Sequence, residues 1–357
     1  MVPRLTQLKS LYWNLDFLPR DPTYLQLFQT HCPGLERLEH IFSFAEIPLS
    51  ETDLYIRVFD FTNLSYIKLI LPGILFTLTD SRMDYVSHMT RLLTLCPNLI
   101  SLQLENATLD PISAKNIVAS LGNNTVFPLL RVFKICGGGE ESAADADNAD
   151  WDGFFALPGC YSHPLRLFFS CHQKIEDLAL GSLSSCVYEG KIDPDEMSRL
   201  FPSLKHLEGP AFLCNAIIKS NVGQKIESLV VNDVWAGKKD WIADMVIGLR
   251  EMPKLLRLQL YSEDPEDVID PLVLDNLLRA TPLLERFDCR LGVNNFPAVV
   301  LAISHAHNLR HLIVEGEAWI AAALSREHKL DSNYEDWVFT ISIVAKHCRR
   351  LVIFESS

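Results

Sequence analysis

The chain has no C-x-x-C pair, although nine cysteines are spread over it, at 32, 96, 136, 160, 171, 186, 214, 289 and 348. That odd, scattered set offers neither a disulfide framework nor paired zinc ligands. It is the usage of a reducing compartment, where cysteine serves as a small buried hydrophobe. Long apolar runs are missing too. The longest, "LILPGILFTL" at 69–78, is far too short to span a bilayer and contains Pro72–Gly73. The N-terminal "MVPRLTQLKSLYW" lacks the apolar stretch and small-residue cleavage site of a secretory signal. Basic charge is in short supply: 32 Lys and Arg stand against 45 Asp and Glu, a formal net charge of −13. This balance argues against a general nucleic-acid binder, whose affinity comes from cations placed on phosphates, and against adsorption to anionic membranes. Cytosol or nucleus is the expected location.

Catalytic signatures are absent as well. There is no G-x-S-x-G elbow and no H-E-x-x-H pair. "HAHNLRH" gathers His305, His307 and His311, but no carboxylate stands at ligand spacing to complete a metal site. The glycines at 137–139 lack the Lys-Ser/Thr of a phosphate loop, and Glu140 and Glu141 would repel an anion. They open an acidic insert, 137–153, with six carboxylates and no base. Within it Asn148, Asp150, Asp152 and Gly153 imitate the start of a calcium loop. The imitation fails at its first position, which is Asn, and at the twelfth, where Gly159 replaces the bidentate Glu. A mobile acidic loop is expected there. No enzyme activity, cofactor or metal is expected.

What is present is a repeat of the form x-P-x-L-x-x-L-x-L. "CPNLISLQL" is its clearest copy, with Leu99, Leu102 and Leu104. "CPGLERLEH", "FPLLRVFKI", "FPSLKHL", "MPKLLRLQL" and "TPLLERFDC" follow the same pattern. Weaker copies are "PRLTQL", "FTNLSYIKL", "HQKIEDLAL", "GQKIESLVV", "AHNLRHLIV" and "CRRLVIF". The first apolar residues fall at 5, 35, 64, 99, 130, 175, 204, 226, 255, 284, 309 and 351, with a recurring spacing near 29. The insert accounts for the 45-residue step between 130 and 175. Alternating apolar residues predict a short strand with one inward face. No unit can bury that face alone, so the units must stack. The slot of Cys96 is held elsewhere by Cys32, Phe61, Phe127, Phe201, Met252, Thr281 and Cys348. It asks for a hydrophobe at a joint, and thiol chemistry is not required.

Helices are expected between the strands. Asp–Pro occurs at 21–22, 110–111, 193–194 and 270–271, each time ahead of a helical stretch. In "DPLVLDNLLRATPLLERF", Asp270 is a good N-cap and Pro271 fits the first turn. Residues 273, 274, 277 and 278 make one apolar face, and Pro282 sets up the next strand.

On these motifs, over residues 3–356, the chain resembles leucine-rich repeat proteins, in the long irregular form found in the C-terminal arms of F-box proteins, fungal ones in particular. The resemblance implies a single α/β solenoid over 1–357, curved, with about twelve irregular repeats, short parallel strands on the concave face and helices on the convex face. It implies protein–protein recognition, as the substrate-recognition arm of an SCF-type ubiquitin ligase. The alternative is a non-ligase scaffold, or a regulator of a GTPase or of the cytoskeleton. Two departures stand out. The asparagine slot after L-x-L holds Ala107, Glu263 and Gly292, so the usual asparagine ladder should be missing. No F-box-like segment precedes the repeats; "FLPRDPTYLQLF" at 17–28 fits the Asp–Pro helix pattern better.

The outward strand positions are the candidate contact residues. In most repeats they are mixed: Arg37 and Glu39; Ser101, Gln103 and Glu105; His206 and Glu208. In two adjacent late repeats they are Arg257, Gln259 and Tyr261, then Arg286, Asp288 and Arg290, with His311 in the repeat after. Stacked strands lie about 5 Å apart, so these side chains should form a contiguous ladder. Three arginines and a tyrosine on one patch of an acidic protein point to a protein partner bearing an acidic or phosphorylated segment. The plainer reading is a solvated face on which Asp288 pairs with its arginine neighbours.

Overall fold

The computed structural model describes residues 2–15, 23–42, 57–71, 85–106, 113–122, 124–137, 154–155, 162–181, 192–232, 241–261, 269–290, 296–315 and 353–356. The chain divides into two compact units, Met1–Ser184 with Arg199–Leu204, and Ser185–Ser198 with Lys205–Ser357. The first unit carries strands β1 (Ser10–Leu15), β2 (Arg37–Phe42), β3 (Tyr66–Leu71), β4 (Ser101–Asn106), β5 (Val132–Gly137) and β6 (Asp177–Gly181). The second carries β7 (His206–Pro210), β8 (Ser228–Asn232), β9 (Arg257–Leu260), β10 (Arg286–Arg290), β11 (His311–Glu315) and β12 (Ile353–Ser356). Within each unit every strand pairs in parallel with the next in chain order. Strands alternate along the chain with helices α1 (Thr23–His31), α2 (Tyr85–Thr94), α3 (Ala114–Leu121), α4 (Pro164–Cys171), α5 (Pro194–Leu200), α6 (Ala211–Ile218), α7 (Trp241–Leu249), α8 (Pro271–Ala280) and α9 (Phe296–Ile303). This is an α/β leucine-rich repeat solenoid.

The repeat becomes a core because its apolar positions fall in register. Leu11, Leu38, Ile67, Leu102, Phe133 and Leu178 form one row across β1–β6, all buried. Leu207, Leu229, Leu258, Phe287 and Leu312 do the same across β7–β11. Each such side chain is stabilised by about 1.5–3 kcal/mol through removal from water. A second recurring contact forms where each strand begins. The carbonyl of Lys9 accepts from the N–H groups of both Glu36 and Arg37, and the carbonyl of Ser65 accepts from Ile100 and Ser101. Leu256 and Glu285 act in the same way toward β10 and β11. This backbone ladder repeats where the strands begin. The slots of the expected but missing asparagine ladder, Ala107, Glu263 and Gly292, lie outside the described residues.

The helix starts follow local chemistry. The Asp270 carboxylate accepts from the Leu272 N–H at 2.8 Å, with Pro271 as the first helical residue. Asp193 accepts from Asp195 N–H at the start of α5. Before α3 the cap is Ser113, whose hydroxyl accepts from Asn116 N–H at 3.1 Å, shortly after the Asp110–Pro111 pair. Leu274, Leu277 and Leu278 of the expected face of α8 are buried together with Ala280, while Val273, expected beside them, is only half-buried. The joint slot is uniformly buried: Cys32, Phe61, Cys96, Phe127, Phe201, Met252 and Thr281 are all nearly inaccessible. Cys348 lies outside the described residues. In the shortened repeat before β8 the slot is Gly223, where a Cβ would sit 2.7 Å from the Ile218 carbonyl oxygen, so only glycine fits.

One repeat is phased differently from the sequence reading. Leu5 and Leu8 were the expected first pair, but Val2–Gln7 is a 3-10 helix and the strand begins at Ser10. Leu11 is the register partner of Leu38, so the first repeat reads Leu8, Leu11 and Trp13. Leucines at 5, 8 and 11 allow two phases; the continuing alternation to Trp13 selects the later one.

Candidate recognition surface

The side chains between the inward rows make an outward face on each ladder. In the first unit that face is charge-balanced. Lys68 pairs with Glu39 on the neighbouring strand at 3.2 Å, and Lys134 pairs with Asp177 at 2.9 Å. The Arg37 guanidinium lies over the Tyr66 ring, 4.5 Å from its centroid, and Gln103 donates to Ser101. Each cation has an opposite charge or an aromatic face beside it.

In the second unit the first outward row runs His206, Ser228, Arg257, Arg286, His311, Ile353. It contains no carboxylate, and Arg257 and Arg286 stand directly opposite one another. Like charges in that relation are destabilising unless something compensates them. The next row holds Glu208, Val230, Gln259, Asp288, Ile313 and Glu355. Arg290, at the end of β10, is in register with Glu315.

Arg257, Gln259, Arg286, Asp288 and His311 therefore share the outward rows, with Tyr261 just beyond the end of β9 and Arg290 at the last position of β10. Their depth differs from expectation. Gln259 and Asp288 are only 3% and 4% exposed, so this is not a uniformly solvated face. The Gln259 amide is fully engaged. Its oxygen accepts from the Arg257 guanidinium, and its nitrogen donates to the Asp288 carboxylate at 2.5 Å and the Tyr261 hydroxyl at 2.9 Å. The Tyr261 N–H is anchored on the Val231 carbonyl at 2.9 Å. Asp288 reaches Arg286 only at 3.9 Å, beyond hydrogen-bond range. Asp288 is thus within ion-pair reach of Arg286, and Gln259 is a direct hydrogen-bond partner. Both Arg257 Nε and Arg286 Nε are buried with no hydrogen-bond acceptor among the described residues.

Other ionisable groups were not anticipated. His305 Nδ1 meets the Asp275 carboxylate at 2.7 Å, and Arg279, four residues after Asp275, bonds both of them. The Asp275/Arg279 spacing on α8 was the available sequence signal. His40 occupies an inward apolar position, and burial pushes its pKa down to about 3, so its ring stays neutral. His172 sits in the hydrophobe slot; burial lowers its pKa, opposed by its contact with the Phe168 carbonyl. Phe127 N–H donates to its Nε2 at 2.8 Å. Arg166 is buried on α4 and donates to the Phe154 carbonyl at 2.9 Å. Burial raises the Cys96 thiol to about 11, against weaker backbone hydrogen bonds, and raises the Cys214 thiol further. Both are poor nucleophiles at neutral pH.

Among the described residues no group of three or more His, Cys, Asp or Glu could hold a metal ion. The acidic insert beyond Gly137 lies outside the described residues. No helix among the described residues is long and apolar enough to cross a membrane.

No family model matches the chain, and no curated protein matches it. Among solved structures it is similar to one described as the crystal structure of the TLR13–ssRNA13 complex, with 14% sequence identity and a TM-score of 0.35. The match covers 89% of this chain and 41% of that one.

Proposed function

We propose that this chain is a protein-recognition module that binds a partner through the outward strand face of β9–β11, and that the partner presents an acidic or phosphorylated segment there. The observation that carries this reading is the juxtaposition of Arg257 and Arg286 in register, with no carboxylate in their row. Two neighbouring guanidiniums with unsatisfied donors on an otherwise acidic protein form a cationic site in a field that discourages nonspecific anions. Tyr261 and the arginines are also the side-chain types that dominate binding energy at interfaces.

The finer role is that of a substrate-recognition arm of an SCF-type ubiquitin ligase, which rests on the sequence resemblance to F-box repeat arms. The test is affinity capture with the full chain, followed by mass spectrometry, comparing wild type with the Arg257→Ala, Arg286→Ala, Arg290→Ala triple variant. Proteins captured by wild type and lost from a correctly folded variant are partners of the site. Recovery of ligase subunits supports the ligase role; a small GTPase or cytoskeletal protein in their place replaces it. Capture that is unchanged by the triple substitution overturns the site.

A further inference from the structure

The cation pair has a built-in countercharge, and its placement bears on which anion the site takes. Asp288 is almost fully buried, and its Oδ2 is held by the Gln259 amide at 2.5 Å while Arg286 stays 3.9 Å away. Gln259 in turn holds the Arg257 guanidinium from the other side. The carboxylate is thus fixed within the site without consuming the Nε donors of either arginine, which remain buried and unpartnered among the described residues. A buried donor left without an acceptor is costly, so two of them side by side call for an acceptor that binds there.

Charge decides what kind. Arg257 and Arg286 contribute +2 and Asp288 −1, which leaves +1. Arg310, next to His311 in the chain, is already paired with Glu285 at 3.6 Å. A carboxylate, with charge −1 and about four lone-pair directions on two oxygens, neutralises the site and can accept from both Nε–H groups. A phosphomonoester carries about −1.5 to −2 at pH 7 and would leave excess negative charge beside buried Asp288.

We infer that the group bound between Arg257 and Arg286 is a single carboxylate, and that Asp288 is the residue that makes the site prefer it to a phosphate. This rests on the proposed recognition role of the β9–β11 face and narrows its ligand. The carboxylate belongs to an Asp or Glu side chain or to a chain terminus.

The test uses the full chain, fluorescently labelled, against immobilised degenerate peptide libraries. Their central residue is fixed as Glu, phosphoserine or Ser with amidated ends, and a fourth library has Ser and a free C-terminal carboxyl. Wild type is expected to bind the Glu library, the free-carboxyl library or both at least about fivefold better than the phosphoserine library, with the amidated Ser library lowest. Asp288→Asn, which removes the countercharge while keeping the shape, should move phosphoserine above Glu. Should that variant fail to fold, His311→Arg adds a charge in the same row outside the buried network and should shift preference the same way. Phosphoserine ahead of Glu in the wild type overturns this inference and leaves the anion site standing. No library above amidated Ser overturns the recognition reading itself. Glu still ahead in both folded variants removes Asp288 from its role.

Discussion

The two strand ladders share an inner grammar and differ on their outer faces. Inside, each stacks one aliphatic or aromatic residue per repeat in register. Outside, β1–β6 sets Lys68 against Glu39, Lys134 against Asp177 and Arg37 against Tyr66, so the face is internally neutralised. The face of β9–β11 places Arg257 beside Arg286 and sinks its nearby carboxylate, Asp288, into a network with Gln259. Basic residues alone do not mark a site, since both faces have them. The mark is a cation whose neighbours fail to satisfy it.

If the inner faces are equivalent, cutting either should cost the same. Leu102→Ala in the first ladder and Leu258→Ala in the second should each destabilise the fold by about 3 kcal/mol. Denaturant unfolding followed by circular dichroism measures both. A loss in one ladder much smaller than in the other would show that one core is poorly packed.

Acid should separate the ladders. Among the described residues of the L-x-L third position, His40 in the first ladder is the sole ionisable imidazole; the second ladder has Gly209, Val231, Leu260 and Cys289 there. Its pKa is about 3 in the fold against an ordinary value of 6.5. The unfolded state therefore takes up the proton first. Stability from this group is full above about 6.5 and is lost as pH falls toward 3. Thermal midpoints should drop between pH 6 and 4, in the range that pKa shift spans, and His40→Leu should flatten that slope. An unchanged slope would mean that His40 is not held neutral.

Smaller effects sharpen the contrast. Cys96→Ala removes a fully buried sulfur from the joint slot and should cost about 1 kcal/mol without altering partner capture. Loss of a bound metal on that change would contradict its role as a packing residue. Lys134→Ala breaks an ion pair on the balanced face and should shift stability by less than about 1 kcal/mol, with binding intact.

Much of this fold is legible in the residues. The inward triplets from Leu35 onward mark where the described strands lie, because a strand's inward face has period two and its burial requires a neighbour. The first repeat is mis-phased because leucines three apart at 5, 8 and 11 satisfy two frames. The outward strand positions of Arg257, Gln259, Arg286, Asp288 and His311 are legible for the same periodic reason. Their depth is not, since alternation tells which side a residue takes and says nothing about how far flanking side chains cover it. Gln259 and Asp288 are buried by that cover. The Asp275–His305 contact is invisible for a different reason, because it joins residues 30 apart through the stacking of successive repeats.

The most direct test of the central claim is hydroxyl-radical footprinting of the full chain, alone and with its captured partner, reading Tyr261 and His311 against Tyr12 and Tyr66. Tyr12 is 59% exposed on the balanced face and serves as the reference. Binding should protect Tyr261 and His311 and leave Tyr12 and Tyr66 as reactive as before. Protection of Tyr12 and Tyr66 with Tyr261 and His311 unchanged would contradict the account.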